Sequence, residues 1–119
     1  MYKYFKLEEF DSPDEKGSGE NMDKEFLTLL SEARELANIP FKINSGYRTK
    51  EHNLKVGGRV GSSHLKGVAV DIACNNSVER SKILKGLFGA GLGRRVGIAT
   101  NFIHVDADYD KPAAIWLYK

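Results

Sequence analysis

Cysteine is nearly missing. Cys74 stands alone among 119 residues, which excludes an intramolecular disulfide and leaves that thiol as a small, partly buried hydrophobe at a strand end. Long apolar runs are missing too, so no segment reaches the ~20 residues that span a bilayer. The opening Met1-Tyr2-Lys3-Tyr4-Phe5-Lys6 lacks the apolar core of a signal peptide, and the expected location at synthesis is the cytoplasm. An excess of one charge is absent as well: 18 basic and 16 acidic residues intersperse to a net +2, a solvated surface rather than a nucleic-acid face. No repeat or low-complexity tract appears. What remains is a chain of ordinary apolar content, long enough for one packed core and too short for two, so residues 1–119 are read as one domain and a monomer is expected.

Taken in order, Tyr4, Phe5, Leu7 and Phe10 pin the N-terminal segment to the domain, and Asp11 to Glu20 form a polar loop around Pro13, Gly17 and Gly19. The clearest helix starts at Asn21 or Asp23, carries Phe26, Leu27, Leu29, Leu30, Ala33, Leu36 and Ala37 at helical spacing, and stops before Pro40. Phe41 to Ser45 reads as a short strand, and Thr49 caps a short helix through Leu54. Val56 to Ser63, with Gly57, Gly58 and Gly61, is a sharply bent loop; it has no phosphate-loop lysine at the required spacing, which excludes nucleotide binding. Gly67 to Ala73 is a second, interior strand. Asn75 to Ser77 cap a helix over Val78 to Phe88, with Ile83, Leu84, Leu87 and Phe88 on its buried face. Arg95 to Ile98 and Phe102 to Asp106 form a hairpin across Ala99-Thr100-Asn101, and Ala113 to Tyr118 are a last strand or extended tail. The fold class is α+β: a small, mainly antiparallel sheet with helices packed on one side.

One residue breaks the apolar pattern. Asp71 lies among Val68, Ala69, Val70, Ile72 and Ala73, where an ionised carboxylate is costly unless a cation or several donors satisfy it. His64 precedes it by seven residues, and His104 sits in another strand-like run, Phe102-Ile103-His104-Val105-Asp106. Two imidazoles and a carboxylate make a three-ligand zinc set that leaves a position open for water. Asp106, two residues after His104, shares its strand face and either orients the imidazole or acts as the general base. Arg48, at a strand end, suits a substrate carboxylate or a developing oxyanion. His52, on the short helix, fits the cleft edge better than a fourth ligand, and Trp116 is a core or cleft-wall aromatic.

Ser45-Gly46-Tyr47-Arg48-Thr49, Asn53, Val56-Gly57-Gly58, Ser63-His64-Leu65-Lys66-Gly67-Val68-Ala69-Val70-Asp71 and Phe102-Ile103-His104-Val105-Asp106 together resemble the M15 family of zinc peptidases. The likeness is to its short branch of phage endolysins and murein-processing proteins, and it covers about residues 2 to 118. It implies the fold shared by D-Ala-D-Ala carboxypeptidases and the hedgehog domain, and one Zn2+ held by His64, Asp71 and His104. It also implies Arg48 acting on substrate or transition state; Tyr47, His52 and Ser63, neighbours of these residues in sequence, are the expected further substrate-binding residues. The implied reaction is hydrolysis of a peptide bond in the peptidoglycan stem peptide. One position departs from the pattern: Asn101 stands where better-studied members carry an acid as general base. Asp106 is then the expected base, with Asp108 as substitute. The alternative is a zinc-stabilised module that binds wall fragments or a protein partner without turnover.

Overall fold

The computed structural model describes residues 2–118. Its regular elements are α1 (Lys24–Ala37), β1 (Ile43–Ser45), α2 (Lys50–Lys55), β2 (Ala69–Ala73), α3 (Ser77–Gly89), β3 (Arg95–Ile98), β4 (Phe102–Asp106) and β5 (Ala114–Leu117), with 3₁₀ turns at Leu7–Phe10, Ser18–Asn21 and Ser63–Lys66. The Asp23 carboxylate accepts the Phe26 N–H and starts α1, which Asn38 ends in the left-handed conformation (φ 56°). Thr49 caps α2 through the His52 N–H, and Asn76 caps α3 through the Glu79 N–H. Ser62 caps the Ser63–Lys66 turn through the His64 N–H. Asp23, Thr49 and Asn76 are capping side-chain types recognised in the sequence, whereas the Ser62 cap lies in what reads there as a glycine-rich loop.

The sheet runs β1-β2-β4-β3-β5. Three pairings are antiparallel, and β5 lies parallel to β3. The chain leaving β4 crosses β3 to reach the far edge and returns antiparallel to β4, hence parallel to β3. The sheet is therefore mixed, although mainly antiparallel as expected. Period-two alternation splits it into two chemistries. Val70, Ile72, Val96, Ile103 and Val105 face Phe26, Leu27, Leu30, Ala33, Ile83 and Leu87 from α1 and α3, forming one buried core. Asp71, Arg95, Gly97, His104 and Asp106 fall on the opposite face.

Two side chains assigned to helix cores do not belong there. Leu36 is 54% exposed and Phe88 is 50% exposed, because α1 and α3 close on each other over a narrower stripe centred on Gly86. A Cβ at Gly86 would run into the Ala33 carbonyl, so the close approach of the two helices requires glycine there. The first strand begins at Ile43 rather than Phe41, and its register with β2 shifts between Ile43 and Ser45. That irregularity re-aims the chain just before Arg48.

Candidate metal centre

His64, Asp71 and His104 reach one point from three elements. The Ser63–Lys66 turn supplies His64, β2 supplies Asp71, and β4 supplies His104, directly opposite Asp71 in the β2–β4 register. One ligand atom from each lies within 4.8 Å of the others. Their separations are 3.4 Å for His64 Nε2 to Asp71 Oδ1 and 2.9 Å for His104 Nδ1 to Asp71 Oδ1. The histidines are buried, with ring centroids 5.3 Å apart.

Hydrogen bonds behind the rings set which nitrogen faces the centre. His64 Nδ1 donates to the Gly46 carbonyl at 2.8 Å, which frees Nε2. His104 Nε2 donates to Asp106 Oδ2 at 2.7 Å, which leaves Nδ1 facing Asp71. With both imidazoles neutral, two nitrogen lone pairs and a carboxylate oxygen converge on a single volume, and only a shared cation satisfies all three. This donor set fits zinc, and three protein ligands leave a coordination position open.

The electrostatics carry the same signature. Burial disfavours the Asp71 anion, but hydrogen bonds from His104 and His64 outweigh it and hold the carboxyl below its usual range. Burial also opposes a charged His104, yet Asp106 and Asp71 on either side raise its pKa above the ordinary imidazole value. Burial works against the Asp106 anion too, and the His104 hydrogen bond, the Asp108 N–H and Arg95 keep it ionised, with a lowered pKa. A proton on His104 is what the carboxylates demand when no metal replaces it.

Arg48 stands beside this group with Nη2 3.7 Å from Asp71 Oδ2. Nε donates to Ser45 Oγ at 3.2 Å and Nη1 to Asn53 Oδ1 at 3.2 Å, while its backbone N–H donates to the His64 carbonyl. A Cβ on Gly58 would collide with Asn53 Oδ1, so the glycine lets the loop lie against the residue that steadies Arg48. The centre opens into a cleft of about 930 Å³ lined by Arg48, Ser63, His64, Asp71, His104 and Asp106 among others. A smaller hollow of about 290 Å³ beside Tyr2, Leu7 and Met22 gathers no comparable set of polar groups.

Not every expected residue reaches the cleft. Tyr47 packs against the core, and His52 sits on the first turn of α2, its backbone N–H donating to Thr49 Oγ1; neither is part of the cleft lining. Asn101 is exposed in the β3–β4 turn and is also outside that lining. Both oxygens of Asp106 are engaged, Oδ2 by His104 and Oδ1 by Arg95 Nε at 2.8 Å and the Asp108 N–H at 3.1 Å.

Sequence reasoning passed over Arg95 and Tyr118, and read Trp116 as a core or cleft-wall aromatic; all three line the cleft. Arg95 lies 4.9 Å from the Trp116 ring and donates to the Pro112 carbonyl. The Trp116 ring is 5.5 Å from that of His104, and Tyr118 packs on Phe102 at 5.0 Å. The alternation Arg95-Val96-Gly97-Ile98 was the available signal, since it puts Arg95 and Gly97 on the face opposite the two apolar residues.

A buried, open-sided cluster of two imidazoles and a carboxylate at the floor of a cleft is the arrangement of a metal-dependent hydrolase. A family model described as peptidase M15 matches residues 3–106, and the chain belongs to that family of metallopeptidases. No curated protein matches the chain significantly.

Proposed function

We propose that this protein is a zinc peptidase that hydrolyses a peptide bond of the peptidoglycan stem peptide, as a carboxypeptidase or an endopeptidase, at the outer face of its sheet. The observation that carries the reading is the convergence of His64 Nε2, His104 Nδ1 and Asp71 Oδ1 beside a guanidinium, in a chain of the M15 family. Zinc held by these three residues would supply Lewis acidity and an acidified water. The Gly46 carbonyl and Asp106 hold the two imidazoles in the tautomers that present the inward nitrogens. Arg48, braced by Ser45 and Asn53, offers N–H donors to the oxyanion that develops on the scissile carbonyl. Asp106 acts in this reading by orienting His104 and not as the base, because its oxygens are already held by three donors.

Mass spectrometry of muropeptides after incubation with the zinc-loaded protein tests the proposal. Stem-peptide cleavage that a chelator abolishes and zinc restores is the expected outcome. His64→Ala and His104→Ala should lose bound zinc and cleavage together. Intact muropeptides from a protein shown to hold one zinc would instead support a second reading, a zinc-stabilised module that binds wall fragments or a protein partner. That reading draws on two observations: Asn101 stands at the usual acid's position, and the cleft-lining carboxylates, Asp71 and Asp106, are both committed.

A further inference from the structure

Beside the centre, where Gly61, Ser63 and Lys111 form part of the cleft lining, Asp108 forms a buried junction that the peptidase chemistry leaves unexplained. The residue is 3% exposed, and so is Ser63. Ser63 Oγ donates to Asp108 Oδ2 at 2.7 Å. Lys66 Nζ donates to Oδ1 at 3.0 Å, and the Asp110 N–H to the same oxygen at 3.2 Å. Lys111 reaches over the junction, with Nζ donating to Ser63 Oγ at 3.0 Å and to the Gly61 carbonyl at 2.7 Å. The Asp108 backbone N–H meanwhile donates to Asp106 Oδ1, the carboxylate whose other oxygen holds His104. Burial raises the Asp108 pKa, but Ser63 and Lys66 outweigh it and bring it down to about 2, so the carboxylate is ionised at neutral pH between its two lysines.

These contacts join two segments remote in sequence. One is the turn bearing His64, flanked by Ser63 and Lys66. The other is the strap from Asp106 to Lys111 that leaves β4 just after His104. Asp71 touches both histidines from β2, whereas the Asp108 junction ties together the two backbone segments that carry them. We propose that Asp108 and Ser63 are positioning residues, a latch that fixes the His64 turn relative to His104 so that the metal-binding geometry exists before a metal arrives. Neither residue touches the three candidate ligand atoms; each acts through a neighbour. A carboxylate suits this place because it accepts on both oxygens at once and pairs with the two lysines that enclose it.

The inference rests on the metal-binding half of the proposed function, and its test separates the two. Zinc affinity is measured by competition with a chromophoric chelator in the wild type, Asp108→Asn, Ser63→Ala and Asp110→Asn. The visible absorption of the Co2+-loaded proteins reports ligand geometry, and far-UV circular dichroism of the metal-free proteins reports the fold. Asp108→Asn and Ser63→Ala should each bind zinc about 10- to 100-fold more weakly, the usual penalty for losing a partner behind the ligands, with altered cobalt bands and an unchanged metal-free spectrum. Asp110→Asn removes only the exposed Lys66 pair and should match wild type. Wild-type affinity and cobalt bands in both Asp108→Asn and Ser63→Ala would overturn the latch. A wild type that binds no zinc would sink the metal reading itself. If Asp108→Asn fails to fold, Ser63→Ala decides alone, since it deletes one donor and leaves the Asp108–Lys66 pair in place.

Discussion

Asp106 is held by three donors while 2% exposed, and its substitution separates orientation from proton transfer. Asp106→Asn keeps the shape but cannot accept from His104, Arg95 and the Asp108 N–H together, so His104 loses its fixed tautomer. Zinc affinity should fall about 10- to 100-fold, read by chelator competition. A general base would behave differently: Asp106→Asn would then hold zinc with wild-type affinity and lose only turnover, by about 10²- to 10⁴-fold. Asp106→Ala should also destabilise the metal-free fold by about 3–5 kcal/mol, because it strands the Arg95 guanidinium in a half-dry site; urea denaturation measures this. From sequence alone both roles for Asp106 were open. Period two places it on the His104 face, but only the folded structure brings it to Nε2 of that ring and occupies its other oxygen.

Strands and helices were legible where a cap or an alternation marked them, as with Asp23, Asn76 and the β3–β4 hairpin. They were less legible where a neighbour decided the outcome. Phe88 satisfies the helical pattern of α3, yet it lies outside the stripe that Gly86 brings against α1. The parallel docking of β5 depends on a crossover that no local signal encodes. Its consequence centres on Gly97, which pairs with His104 on one side and Trp116 on the other. A Cβ at Gly97 would lie 2.5 Å from Trp116 Nε1 and 2.7 Å from Tyr118 Cε2, so this bare backbone is the seat of the aromatic wall. Gly97→Val should lift Trp116 off the sheet, shift the emission of the chain's single tryptophan to the red, and cost about 1–3 kcal/mol by overpacking. The zinc ligands, on other elements, should still bind metal. An unchanged emission spectrum would mean that the indole does not rest on Gly97.

At the scale of the whole molecule, this is a sheet with a dry face and a charged face. Among the described residues no helix is long and apolar enough to cross a membrane, and α1 and α3 cover the dry face. The charged face concentrates Asp71, His104, Asp106, Arg95 and Arg48 in one buried patch, where proton and metal compete for the same lone pairs. That competition gives metal-dependent stability a definite pH dependence. In the metal-free protein His104 has a raised pKa, so its protonation stabilises the folded state fully below the unfolded imidazole value of about 6.5. That contribution is lost as pH rises through the higher folded value. Metal binding must displace the proton, so zinc affinity should fall about tenfold per pH unit below the raised value and level off above it. Because a ligand at free concentration L that binds only the folded state stabilises it by RT ln(1 + L/Kd), the Tm gap between zinc-loaded and chelator-treated protein should be narrow near pH 5 and wide near pH 8, about the two sides of the imidazole range. Calorimetry of both forms across that range measures the gap. A gap that stays constant with pH would show that no proton leaves when the metal enters, and His104 would then not be a ligand.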